Sequence, residues 1–317
     1  MINYYKTINN KTIQLDTYDD ACWISIINPS NNEINKISSK FNIELNDLKA
    51  ALDREERPRL EVEDNYNMIL IDIPIDESDE SIHYTTLPLG IFLIGNDILT
   101  ISSVESNVIN DFILNKVRNF DISKKTRFLL QIFKQNAMYY LNYLLKIDKR
   151  TTEIEKNIYD SVQNKELIQL LNLEKSLIYF STSLKSNEIT INKVIRSKNI
   201  KKYEDDEDFL EDVLIENKQA LEMANIYGDV LSRVMDAFSS IISNNQNRVM
   251  SILTSITLSM SFVTIISGLF GMNVNGIPFS NSPNGFLIIS TFSIFTCLII
   301  SLLTFAFSKK QFNLHKK

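Results

Sequence analysis

The sequence predicts an α+β domain, then a long helical stalk, then two C-terminal membrane helices. Three observations carry this. Strand-like apolar runs and turn residues are confined to roughly the first 120 residues. No Pro occurs from 89 to 277, and Gly228 is the only Gly between 96 and 267. No Asp, Glu, Lys, Arg or His occurs in the sixty residues from Val249 to Ser308. A folded soluble domain does not concentrate its uncharged residues in this way.

Within residues 1–120, Cys22–Ile27 reads as a strand before the turn Asn28-Pro29-Ser30-Asn31, and Ile34 to Leu52 reads as one helix. Asn67–Ile73, Leu89–Ile94 and Ile98–Ile101 are further β-type runs, the last two separated by Gly95-Asn96-Asp97. Residues 121–251 are helical. The pattern over 124–200 fits two antiparallel helices that break near Ser161–Lys165. The acidic run Glu204-Asp205-Asp206-Glu207-Asp208 suits the positive dipole end of the next helix, which starts at about 208.

That helix carries a heptad seam: Leu210, Leu214, Asn217, Leu221, Ala224, Gly228, Leu231, Met235, Phe238, Ile242, Asn245, Val249 and Ile252. It runs without Pro into the first apolar span, 252–270. A continuous helix from Asp208 to Phe270 is about 95 Å long at helical rise. It needs packing partners along that length; an oligomeric stalk supplies them, and an intramolecular bundle is the alternative. Residues 271–285 hold three Gly and two Pro and form a loop; 286–308 is the second span. Nineteen residues of helix cover roughly 28 Å, enough for a hydrocarbon core.

The start of the chain lacks the apolar run of a signal peptide. The tail 309–317 carries Lys309, Lys310, Lys316 and Lys317, and the 271–285 loop carries no Lys or Arg. The positive-inside rule places the tail in the cytoplasm, and two spans place the N-terminal body there too. The expected setting is the cell membrane, with lipid around the spans. Net charge −6 argues against nucleic acid as a partner. Two Cys and two His leave little for a disulfide framework, a zinc site or His-based catalysis, and no P-loop or nucleophile elbow is present, so no enzyme is expected.

A second stripe runs up the first span: Asn247, Met250, Thr254, Thr257, Ser261, Thr264, Gly268 and Gly271, all polar or small except Met250. A dry helix–helix interface in lipid uses such residues. A water-lined path is the stronger reading, because the stripe starts at an Asn and runs the full length. Two spans cannot enclose a channel, so several chains must surround a common axis.

Phe270-Gly271-Met272-Asn273 at the outer end of that span resembles the signature of the CorA family of magnesium transporters. The resemblance extends through Met235-Asp236-Ala237-Phe238 and Asn247–Thr254. It also reaches Arg57-Pro58-Arg59-Leu60-Glu61, similar to a family stretch entering a central strand. It implies a funnel-shaped homopentamer that conducts Mg²⁺, with Co²⁺ or Ni²⁺ as further cargo, into the cell down its electrochemical gradient. Gly271, Met272 and Asn273 would form the outer selectivity ring. Asn247 and Met250 match pore-lining positions near the cytoplasmic mouth, Leu253 the hydrophobic gate, and Thr264 and Gly268 the upper pore. Internal Mg²⁺ would also regulate, bridging subunits at Asp212 on the stalk helix and at Asp76 in the acidic loop Asp76-Glu77-Ser78-Asp79-Glu80. Two departures stand out: Ser261 replaces a bulky apolar residue, and the 271–285 loop has no acidic residue. The alternatives are a zinc transporter of the same superfamily and a membrane-anchored coiled-coil scaffold.

Overall fold

Period-two apolar runs in the first hundred residues build a seven-stranded sheet among the described residues. The computed structural model describes residues 1–9, 11–77, 84–158, 164–198, 200, 206–272, 276–279 and 282–314. Strands β1 (Ile2–Ile8), β2 (Lys11–Leu15), β3 (Trp23–Ile27), β4 (Arg59–Val62), β5 (Tyr66–Asp76), β6 (Tyr84–Ile94) and β7 (Asp97–Ser102) lie in the order β2-β1-β3-β7-β6-β5-β4. Among the described residues, only β3 and β7 pair in parallel. The β6–β7 hairpin closes through Gly95-Asn96, with Gly95 at φ +46°, a conformation in which glycine is unstrained.

Alternation sends the two faces of the sheet to two cores. Ile69, Ile71 and Ile73 join Trp23, Phe112, Phe128 and Ile191 on one side. Met68 and Leu70 join Ile34, Ile37 and Leu48 on the other. The second face is covered by α1 (Asn31–Phe41) and α2 (Leu45–Ala50). One helix over Ile34–Leu52 was expected; Asn42, in the left-handed region at φ 52°, ends α1 and splits it. Ser30 starts α1 with a full capping box with Glu33, worth about 1 kcal/mol.

The first face is covered by α3 (Asn107–Ile113), α4 (Lys125–Ile158) and α5 (Asn164–Arg196). Because Phe128 and Ile191 share their core with the sheet, the change near residue 120 is a change of layer rather than of core. The chain divides instead into Met1–Met235 and Asp236–Lys317.

The strand entered by Arg57-Pro58-Arg59 is β4, and it is the edge strand rather than a central one. It pairs with β5 only as far as Leu70. Opposite Asp72 on the inner side stands Pro88, which has no N–H to offer. The Asp72 backbone turns outward and is satisfied by side chains. Its N–H donates to Asn187 Oδ1 at 2.9 Å. Its carbonyl accepts from Asn187 Nδ2 at 2.8 Å, Asn136 Nδ2 at 2.9 Å and the Tyr140 hydroxyl at 3.1 Å. Residues of α4 and α5 thus occupy the place a longer β4 would take.

Helix α6 (Glu207–Phe270) is continuous over 64 residues, and α7 (Gly285–Leu314) follows.

Candidate metal-ion pathway

Every residue of the expected heptad seam from Leu210 to Ile242 is buried or half-buried on α6. The buried ones, Asn217, Ala224, Leu231 and Phe238, recur every seven residues. Asn217 Nδ2 donates to the Leu184 carbonyl of α5 at 3.2 Å. As far as Leu231, then, the seam is covered within one chain, and this part does not require a second copy. Asn245, Val249 and Ile252 are exposed.

The second stripe behaves differently. Asn247, Met250, Leu253, Thr254, Thr257, Ser261, Thr264 and Gly268 are all exposed in the single chain. The less exposed line on the same stretch of α6 is Ser251, Ser255, Ser259, Val263 and Ile266, with Ser259 at 5%. Within the second unit this is the face available to α7, whose Ser293 is likewise buried at 7%. The polar stripe and the packing line are therefore separate faces.

The hydroxyls of the exposed stripe have a common orientation. Thr254 donates to the Met250 carbonyl at 2.8 Å, Thr257 to Leu253 at 2.9 Å, Ser261 to Thr257 at 2.9 Å and Thr264 to Met260 at 3.0 Å. Each hydroxyl proton is committed to the helix, and the oxygen keeps its acceptor lone pairs. At the top, the Gly271 N–H donates to the Ser267 carbonyl at 2.9 Å and Met272 to Leu269 at 3.5 Å, closing the helix. Asn273 lies outside the described residues.

The two expected sensor acids are each met by a lysine of α4. Asp212 Oδ2 lies 3.4 Å from Lys134 Nζ, and Glu216, one turn on, lies 3.3 Å from the same nitrogen. Asp76, at the end of β5, lies 3.5 Å from Lys146 Nζ. Of the loop that follows, Glu77 pairs with Arg54 at 3.3 Å, and 78–80 lie outside the described residues. Among the described residues, no three His, Cys, Asp or Glu side chains gather closely enough to hold a metal ion within one chain. Two helices there are long and apolar enough to cross a membrane, within Glu207–Phe270 and Gly285–Thr304.

A family model described as CorA-like Mg2+ transporter protein matches residues 18–310. The chain belongs to that family. It is a transporter family rather than an enzyme class. The cobalt/magnesium transport protein CorA of Methanocaldococcus jannaschii is 28% identical over 281 residues, covering 87% of each chain. The complete structure of the CorA magnesium transporter from that organism matches with a TM-score of 0.79 at 26% identity, over 96% of both chains. The cytoplasmic domain of ZntB from Vibrio parahaemolyticus matches at a TM-score of 0.60 and 13% identity, over 76% of this chain and 98% of that one, a likeness of fold alone.

In this CorA-family chain the sequence reading missed the basic partners of the acids. Lys134 and Lys146 sit in an unbroken helical pattern with no motif around them, and only the fold brings them to Asp212 and Asp76. Asp208 and Glu211, the acids nearest before Asp212 along the chain, are exposed; Glu216 is the acid that shares Lys134 with Asp212. A carboxylate four residues further along a helix was the available signal.

Proposed function

We propose that the protein is a passive, gated channel for Mg²⁺, with Co²⁺ and Ni²⁺ as further cargo, that imports the ion across the cell membrane. Several copies, five by family resemblance, place their α6 spans around a common axis, with both termini in the cytoplasm. The observation that carries this reading is the exposed stripe of oxygen acceptors on α6 leading to Gly271-Met272-Asn273. Mg²⁺ gives up its water reluctantly, so a path for it must accommodate a hydrated ion. Water bound to a cation points its protons outward. A wall of hydroxyls whose own protons are turned into the helix accepts those protons and offers none to an anion. Asn247 and Met250 then line the inner mouth, Leu253 the apolar gate, Thr254, Thr257, Ser261, Thr264 and Gly268 the path, and Gly271, Met272 and Asn273 the outer ring. A divalent ion gains about 4.6 kcal/mol per 100 mV on entry, which suffices to drive uptake without a coupled reaction.

Internal Mg²⁺ closes the channel in this scheme by drawing Asp212 and Asp76 into sites shared between neighbouring copies. The absence of a three-donor cluster within one chain, among the described residues, fits donors supplied across an interface. Asn273→Ala tests the pathway. Losing the amide's hydrogen bond to a charged, hydrated ion should cut Mg²⁺ flux into liposomes about tenfold or more. Normal flux in an assembled variant would overturn the assignment of the outer ring.

A further inference from the structure

Both acids assigned to sensing are held by ammonium groups from one helix, α4. Lys134 reaches Asp212 and Glu216 at 3.4 and 3.3 Å, and its nitrogen also lies 5.2 Å from the centre of the Phe209 ring on α6. Lys146 reaches Asp76 at 3.5 Å and lies 5.0 Å from the Tyr143 ring. Near the start of α6, Arg127 of α4 holds the buried Asp206 at 3.0 Å, so the two helices are already fixed to each other there. Lys134 is not needed for that anchoring. Its side chain is 27% exposed and that of Asp212 60% exposed, so the pair sits where solvent ions reach it.

We infer that Lys134 and Lys146 are tethered cations that compete with Mg²⁺ for the sensing carboxylates and so set the internal metal concentration at which the channel closes. The inference rests on the proposed sensing role of Asp212 and Asp76. A tethered ammonium cannot be diluted away, so a divalent ion must displace it or share its carboxylate. With Lys134 in place, Asp212 and Glu216 present one net negative charge; without it they present two. Exposed pairs at this separation are weak, so displacement lowers metal affinity by a factor of about two to five per lysine. The lysines also explain how facing carboxylates avoid mutual repulsion when metal is scarce: each chain carries its own partial neutralisation.

The test uses the full-length protein in liposomes of defined internal Mg²⁺. Flux is read together with a measurement independent of transport, the rise in melting temperature of the detergent-solubilised protein as Mg²⁺ is added. Lys134→Gln should shift both half-effect Mg²⁺ concentrations about two- to fivefold lower, and Lys134→Gln/Lys146→Gln further still. Lys134→Arg, which keeps the charge, should stay close to wild type. The shift should vanish in an Asp212→Ala/Glu216→Ala background. An equal metal-free melting temperature shows that the variants fold. If Asp212→Ala moves the inhibition curve but Lys134→Gln leaves it unmoved or raises it, the tethered-cation inference is wrong and the sensor stands. If Asp212→Ala and Asp76→Ala together leave the curve unchanged, the sensor assignment falls and this inference falls with it.

Discussion

Replacing Asp72 with Asn should make the protein more stable at neutral pH. Asp72 sits on β5 where α5 covers the sheet edge, and its Oδ2 accepts the Ser183 hydroxyl at 2.6 Å. Ser183 also bonds the Thr86 hydroxyl at 2.9 Å. Burial raises the Asp72 carboxyl from 3.8 to about 6, and the Ser183 hydrogen bond opposes that only in part. Below pH ~4 the group is neutral whether the chain is folded or unfolded, and nothing is lost. Between ~4 and ~6 the unfolded chain releases this proton while the folded one keeps it, so stability falls as pH rises through that window. Above ~6 the full penalty stands. A difference of about two in pKa corresponds to about 3 kcal/mol. Asn removes the charge and still offers an oxygen to Ser183. An imperfectly paired amide returns about 1 kcal/mol or more of the gain, leaving a net stabilisation of about 1–3 kcal/mol. For a unit of this size that raises the melting temperature by about 2–10 °C at pH 7.5. The gain should shrink to nothing or reverse by pH 4. Thermal unfolding of the solubilised full-length protein from pH 4 to 8 measures it. An Asn variant that melts no higher than wild type at pH 7.5, with the same pH slope, refutes the reasoning.

Gly90 has no room for a side chain: a Cβ there would stand 2.5 Å from the Ala51 Cβ and 2.9 Å from the Ile101 Cγ2. Gly90→Ala should therefore cost about 1–3 kcal/mol, seen as a melting temperature lower by about 2–10 °C. Thr264→Val keeps shape but deletes one acceptor from the exposed stripe, and should lower Mg²⁺ flux about two- to tenfold. Ser255→Ala, on the separate packing line, should leave flux near wild type in the same liposome assay. Mass measurement in detergent should give an oligomer, five copies on the family expectation; a transporting monomer would contradict a path enclosed by several α6 helices.

The membrane segments and the run of α6 to Phe270 were legible because charge is absent over sixty residues and no Pro interrupts the pattern. Strands β3, β5, β6 and β7 were legible because each carries a dense apolar run. The strands β1, β2 and β4 were not. β1 and the edge strand β2 are half polar, with Tyr4, Lys6, Thr7 and Lys11, and the edge strand β4 is only four residues long. The split at Asn42 was hidden because one residue in the left-handed region leaves the apolar spacing on either side nearly in phase. The exposed stripe could be read from spacing alone. Whether the heptad seam met its own chain or another could not, since apolar spacing is the same for both. The partners of Asp212, Asp76 and Asp72 lie on α4 and α5, far along the chain, and no local pattern encodes such pairings.

The side chains that close the outer edge of β5 have a consequence for how copies meet. An open strand edge is a template: its unpaired amides recruit a strand from any chain nearby, and that is a route to fibrils and aggregates. Past Leu70 the template is interrupted at Asp72, because Asn187, Asn136 and Tyr140 already occupy its amide and carbonyl. At that point of β5 an incoming strand finds the backbone already bonded, and the sheet's outer edge on this side is left to the four residues of β4.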